Sequence, residues 1–154
     1  MAGRLKIVSI SKAGRGPCFE LEQRYLRRIA RYAPCERLTV AASRRRRPAD
    51  RRREEAERLE SHRPARGTLV ALDRRGDPLS SEELAARVAR WRERGELVLV
   101  IGGPDGLDAT WLASCSQTIS LGALTLPHEL AAVVLLEQLY RGLAAANGHP
   151  YAGH

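Results

Sequence analysis

Short apolar runs alternate with amphipathic stretches along the whole chain. Leu5-Lys-Ile-Val-Ser-Ile10 reads as a first strand, and Ser11-Lys-Ala-Gly-Arg-Gly-Pro17 reads as a loop from its Gly and Pro content. Over residues 18–33 the period becomes helical, with Cys18, Leu21, Tyr25, Ile29 and Tyr32 on one stripe suited to a core. Residues 36–42 read as a second strand. A helix is predicted over 49–60; being almost wholly polar, it should pack weakly or border a mobile loop. Thr68-Leu-Val-Ala-Leu72 is a continuous apolar run, the pattern of a buried parallel strand. Ser80-Ser-Glu-Glu83 is a capping-box signal. The helix it opens carries Leu84, Val88 and Trp91 on one face and is stopped by Gly95. Leu97-Val-Leu-Val-Ile101 is the most strand-like segment of all. A short helix over 109–116, a strand over 118–121 and a long helix opened by Pro127 and ending before Gly148 complete the order. That last helix is apolar nearly all round between Leu130 and Leu136, so it needs burial on two sides, and a second subunit is a natural second surface. The alternation of strand and helix predicts an α/β fold with a mostly parallel sheet.

Composition narrows the class. The chain has 154 residues, 44% of them hydrophobic, which suits one domain over 1–154 around one aliphatic core. No apolar run reaches membrane-span length, so no membrane partner is expected. The N-terminus lacks the apolar stretch of a signal peptide. Cys18, Cys35 and Cys115 form neither a disulfide framework nor a zinc pattern; together these features predict a reducing cytoplasm. The 26 basic residues outnumber the 18 acidic ones by enough to give a net charge of +8. Lys6 and Lys12 are the only lysines; the rest are arginine, the side chain better suited to phosphate. A G- and C-rich genome would explain the choice of arginine over lysine but not the net sign. The expected partner is a polyanion, most simply nucleic acid.

Open parallel sheets bind ligands at the carboxyl ends of their strands. Three such ends are unusual here: Leu72-Asp73-Arg-Arg-Gly76, Ile101-Gly102-Gly103-Pro104-Asp105-Gly106, and Leu121-Gly122-Ala123-Leu124-Thr125-Leu126-Pro127-His128. Glycines at strand ends let a ligand approach the backbone, and ordinary turn punctuation is the alternative. Neither glycine loop is GxGxxG or a Walker loop, so neither a dinucleotide nor a nucleoside triphosphate is indicated. The third segment is apolar without a helical pattern. It suits a wall for a flat, uncharged ring such as adenine, or a buried crossover connection.

Ile101-Gly-Gly-Pro-Asp-Gly-Leu107, Leu121-Gly-Ala-Leu-Thr-Leu-Pro-His128, Glu137-Gln-Leu-Tyr-Arg141 and His149-Pro-Tyr151 together resemble the RlmH family. These are small bacterial SPOUT-class methyltransferases that modify N3 of a pseudouridine in 23S ribosomal RNA. The resemblance implies a sheet flanked by helices with a C-terminal trefoil knot, S-adenosylmethionine as methyl donor, no metal, and a homodimer acting on the assembled ribosome. Carried over position by position, it assigns Leu72, the glycine pair Gly102 and Gly103, and Leu121, Gly122, Ala123, Leu124, Thr125 and Leu126 to the donor pocket. Two departures stand out. The tail ends Ala152-Gly153-His154 where the family continues with His and a basic residue. The first strand runs into Ser9-Ile-Ser-Lys-Ala-Gly14 where the family has a Val-Gly-Lys type loop, leaving open whether Lys12 takes that lysine's place.

The weakly acidic N3 proton must leave during transfer, assisted by a base or by donors to the developing anion. His128, Glu137, Arg141, His149 and Tyr151 are the catalytic candidates. Each has a structural alternative: a helix cap for His128, an i,i+4 ion pair for Glu137 and Arg141, and disorder for the tail. Tyr151 is also suited to stacking on a base. Arg24, Arg27, Arg28 and Arg31 share one helical face and are the RNA-binding candidates. Arg44 to Arg47 and Arg51 to Arg53 form a second cluster, either RNA-binding or solvated surface. Two other functions fit the same residues: a related methyltransferase acting on another RNA such as transfer RNA, and a ribosome-binding module without activity.

Overall fold

The computed structural model describes residues 2–12 and 14–153. Five parallel strands, β1 (Leu5–Ile10), β2 (Cys35–Val40), β3 (Gly67–Pro78), β4 (Glu96–Ile101) and β5 (Gln117–Ser120), lie in the order β2-β1-β4-β3-β5. Helices α1 (Pro17–Ile29), α2 (Pro48–Glu60), α3 (Ser81–Glu93), α4 (Ala109–Ser114) and α5 (His128–Ala146) connect them, and a short 3₁₀ turn, Pro150–Gly153, closes the chain.

Strand alternation divides the core in two. Leu5, Ile7, Leu97, Leu99 and Ile101 face α1, α3 and α5, while Val8, Ile10, Val98 and Val100 face α2 and α4. β4 is central and covered on both faces, which is why its sequence is a continuous apolar run. α3 opens with the predicted capping box: Ser80 Oγ accepts from Glu83 N, and Glu83 Oε2 accepts from Ser80 N. α2 docks through little more than Glu55, Ala56 and Leu59, in keeping with its polar sequence.

The boundaries differ in ways that have causes. α1 ends at Ile29 and not at 33; the chain continues through turns in which Tyr32 N and Ala33 N both donate to Ile29 O, before Pro34. Pro127 caps α5 from outside, one position earlier than expected, so His128 is the first helical residue. The largest difference is β3, which continues to Pro78 through an excursion after Leu72. Leu72 and Asp77 both register against Ile119, so residues 73–76 loop out and return. A Cβ at Gly76 would stand 2.6 Å from the Ile119 carbonyl carbon, so only glycine lets the chain cross β5 here. The α1 stripe expected to face the core is fully covered only at Ile29; Leu21 is exposed, and Glu22 is buried in its place by pairing with Arg37.

Candidate active site

The sheet order sets the ends of β4, β3 and β5 side by side. Their three following segments enclose a cavity of about 970 Å³ that also reaches the first turn of α5. Leu72, Gly102, Gly103, Leu121, Gly122, Leu124, Thr125 and Leu126 all line it. Ala123 is exposed and stands outside that lining. Leu124 is 80% exposed at the lip, an apolar side chain with nothing to cover. Gly122 sits at φ +135°, a conformation that other residues rarely adopt, and it turns the loop after β5.

The glycine loop after β4 is a tight turn closed by Gly106 N donating to Gly103 O at 2.9 Å. A Cβ at Gly102 would lie 2.9 Å from Leu107 Cγ and 3.2 Å from the Gly106 carbonyl carbon. α2 grips this turn from behind. Arg51 donates from Nε and Nη2 to the two oxygens of Asp105, at 2.7 and 3.1 Å. The Arg51 hydrogen bond, and the nearby charges of Arg51 and Arg52, hold the Asp105 carboxyl below the usual carboxylate range. One turn along α2, Glu55 is buried behind Gly103; Oε2 accepts from Ser43 N at 2.9 Å, and Oε1 has no partner among the described residues. On the opposite rim Arg74 Nη1 donates to Thr125 Oγ1 at 2.6 Å, tying the β3 excursion to the β5 loop. Asp105 and Arg74 line the cavity but were not singled out by sequence. Their partners lie 54 and 51 residues away, beyond the reach of any local pattern.

Of the catalytic candidates only His128 lines the cavity. Glu137 lies nine residues further along α5, roughly 13–14 Å along its axis. It belongs to a separate cluster with Arg141, His149 and Tyr151. Glu137 Oε1 accepts from Arg141 Nη2 at 2.7 Å and from the Tyr151 hydroxyl at 3.0 Å, while Oε2 accepts from Gln138. The Tyr151 ring packs 4.7 Å from that of Tyr140, with the Arg141 guanidinium 5.3 Å from its centroid. His149 Nδ1 accepts from Tyr151 N. The tail is therefore docked. Burial first, then hydrogen bonding with Tyr25 and Glu137, pushes the Tyr151 hydroxyl above the usual phenol range, so it is a donor at neutral pH and not a base. His154 lies outside the described residues.

Arg24, Arg27 and Arg31 are exposed and make no ion pair among the described residues. Arg28 differs: it is half-buried, with its guanidinium 5.6 Å from the ring centroids of both Tyr25 and Tyr140.

Residues 4–152 match the family described as "Predicted SPOUT methyltransferase". The chain belongs to the SPOUT methyltransferase family. It is similar to proteins named Ribosomal RNA large subunit methyltransferase H. The one from Methylobacterium radiotolerans is 45% identical, over 96% of each chain. The one from Koribacter versatilis is 40% identical, over 97% of this chain and 98% of that one. In fold it resembles a probable methyltransferase from Bordetella pertussis Tohama I (TM-score 0.58, 19% identity, 92% of this chain and 95% of that one). It also resembles a probable methylase family protein from Haemophilus influenzae Rd KW20 (TM-score 0.58, 16% identity, 98% and 71%). The chain is thus a methyltransferase, and the cavity is the place in it shaped for a ligand.

Proposed function

We propose that the chain uses S-adenosylmethionine to methylate N3 of a pseudouridine in 23S ribosomal RNA, on the assembled ribosome in the cytoplasm. The observation that carries this reading is the convergence of three segments far apart in sequence on one cavity of about 970 Å³. The residues fit an adenosyl group. Leu72, Leu121, Leu124 and Leu126 offer apolar faces for a flat ring, and the loop backbone at 121–126 offers N–H and C=O groups to its edge. Gly102 keeps the floor free of a side chain. When bound, S-adenosylmethionine supplies a methyl group already activated by its sulfonium. The chain supplies orientation, which contributes much of the acceleration in such transfers. His128, at the cavity, is the residue placed to take or steady the departing N3 proton. Glu137 already accepts from Arg141, Tyr151 and Gln138, which favours its role as the anchor of the tail.

The reading includes a homodimer. α5 lies against α1, and the two leave Phe19, Leu21 and Leu130 exposed and Val133 and Val134 half-buried, apolar surface of the kind a second subunit would cover. It also includes the trefoil knot that the family resemblance implies; α5 leaves edge strand β5 and returns to pack on α1, α3 and β4.

The test is to incubate the protein with labelled S-adenosylmethionine and intact ribosomes, free subunits or transfer RNA, and to map the labelled nucleotide. Label at N3 of a 23S pseudouridine, from intact ribosomes, is the expected result. Label in transfer RNA would reassign the substrate, and no label with any RNA would leave a binding module.

A further inference from the structure

Seven arginines fall within residues 44–53, and the proposed function gives them no role. Their surroundings separate them. Arg45 pairs with Glu54, while Arg47 and Arg53 share Asp50. Arg51 is fully engaged: Nε and Nη2 hold Asp105, and Nη1 donates to the carbonyls of Arg45 and Arg46 at 3.0 and 2.8 Å. Arg44, Arg46 and Arg52 have no ion pair or side-chain acceptor among the described residues, and Arg44 and Arg46 are exposed.

Arg51 also fixes where this segment lies. Its guanidinium touches the cavity wall at Asp105 on one side and the backbone of Arg45 and Arg46 on the other. The backbone of Arg45 and Arg46 is thus fixed beside the cavity wall, with the exposed Arg44 and Arg46 on that same segment, while the Arg52 charge already acts on Asp105. On the opposite rim are Arg74 and Arg75, both exposed; among the described residues Arg74 is held only by the neutral Thr125 hydroxyl, while Arg75 pairs with Asp73. The placement is electrostatically costly for the protein alone. Arg47 caps α2 without a side-chain cap bond, so four consecutive arginines sit at the positive end of a helix, offset in its first turn only by Asp50. A polyanion lying along the rim removes that cost.

We propose that Arg44 and Arg46 hold the phosphodiester backbone of the RNA substrate beside the cavity, while Arg51, in the same run, holds the Gly103–Gly106 turn for the donor and takes no part in RNA binding. This rests on the methyltransferase reading and adds the path of the strand, which crosses the opening between the start of α2 and the Arg74–Arg75 corner. Such contacts set position and register and carry no sequence information.

The experiment compares R44A/R46A with R51A in the full-length chain. It measures S-adenosylmethionine affinity by calorimetry and binding to ribosomes, and to protein-free 23S RNA, across a salt series. For the double variant the donor dissociation constant stays within twofold of wild type and RNA binding weakens tenfold or more at low salt. The slope of log affinity against log salt becomes shallower by about 0.7–0.9 for each phosphate that is no longer neutralised. For R51A the donor dissociation constant rises five- to tenfold and the salt slope is unchanged. D105N tests the same clamp should R51A fail to fold.

An unchanged salt slope on ribosomes in the double variant overturns the proposal, as does a shallower slope in R51A. An effect seen on ribosomes alone supports it with the assembled RNA as partner, the substrate form of the proposed function. The methyltransferase reading fails separately, if wild type binds no donor and transfers no methyl group; the salt slopes are scored without either.

Discussion

A Cβ at Gly102 would lie 2.9 Å from Leu107 Cγ and 3.2 Å from backbone of the following turn, so a branched side chain there must push the cavity floor apart. Gly102→Val is expected to abolish the rise in melting temperature that S-adenosylmethionine gives the wild type, since only binding to the folded state produces that rise. A rise of wild-type size would contradict the assignment. At the other cluster, Tyr151→Phe removes the hydroxyl's bonds with Glu137 and Tyr25, at a cost of about 0.5–1.5 kcal/mol for each in a thermal melt. Tyr151→Ala also removes the ring from Tyr140 and Arg141. It is expected to lower methyl transfer well below wild type while donor affinity is kept; full activity would leave the tail a purely structural role. Chemistry was legible in sequence where it is local, as in the glycine pair and the apolar loop after β5. It was not legible where partners come from distant elements. Nothing near Arg51 announces Asp105, and nothing in the chain order shows that the Tyr151 hydroxyl returns to Glu137.

Among the elements, α1 and α2 each carry several arginines and use them differently. Arg28 is stacked between Tyr25 and Tyr140, so Arg28→Ala is expected to lower stability by about 0.5–1 kcal/mol, read as a lower melting temperature. Arg24→Glu with Arg27→Glu is expected to weaken ribosome binding with no change in melting temperature; unchanged salt-dependent binding would remove α1 from the RNA face. The α2 clamp has a pH signature. Arg51 depresses the Asp105 carboxyl, so the stability it gives is fully present above the ordinary aspartate value of about 4 and is lost as pH falls through the lower folded value. The stability difference between wild type and Arg51→Ala should be constant from about pH 8 to 5 and shrink only below about 4. A difference that fades between neutrality and pH 5 would show that another group carries it. The elements themselves were largely readable, because period and caps are local properties. β3 was the exception: its excursion is stabilised by a close crossing over β5 at Gly76, and a contact between strands leaves no periodicity.

For the whole molecule, strand order turns three ordinary-looking turns into one cavity. Periodicity gave five strands and their parallel sense, yet it gave no means of knowing that β4, β3 and β5 are neighbours. The family resemblance supplied that expectation, and the cavity now gives it a physical form. The most direct test is to titrate S-adenosylmethionine into uniformly ¹⁵N-labelled protein and follow the backbone amides. The largest shifts are predicted at Leu72, at Gly102 and Gly103, and along residues 121–126. Shifts concentrated instead at the α5 and tail cluster, or no saturable shift anywhere, would contradict the account.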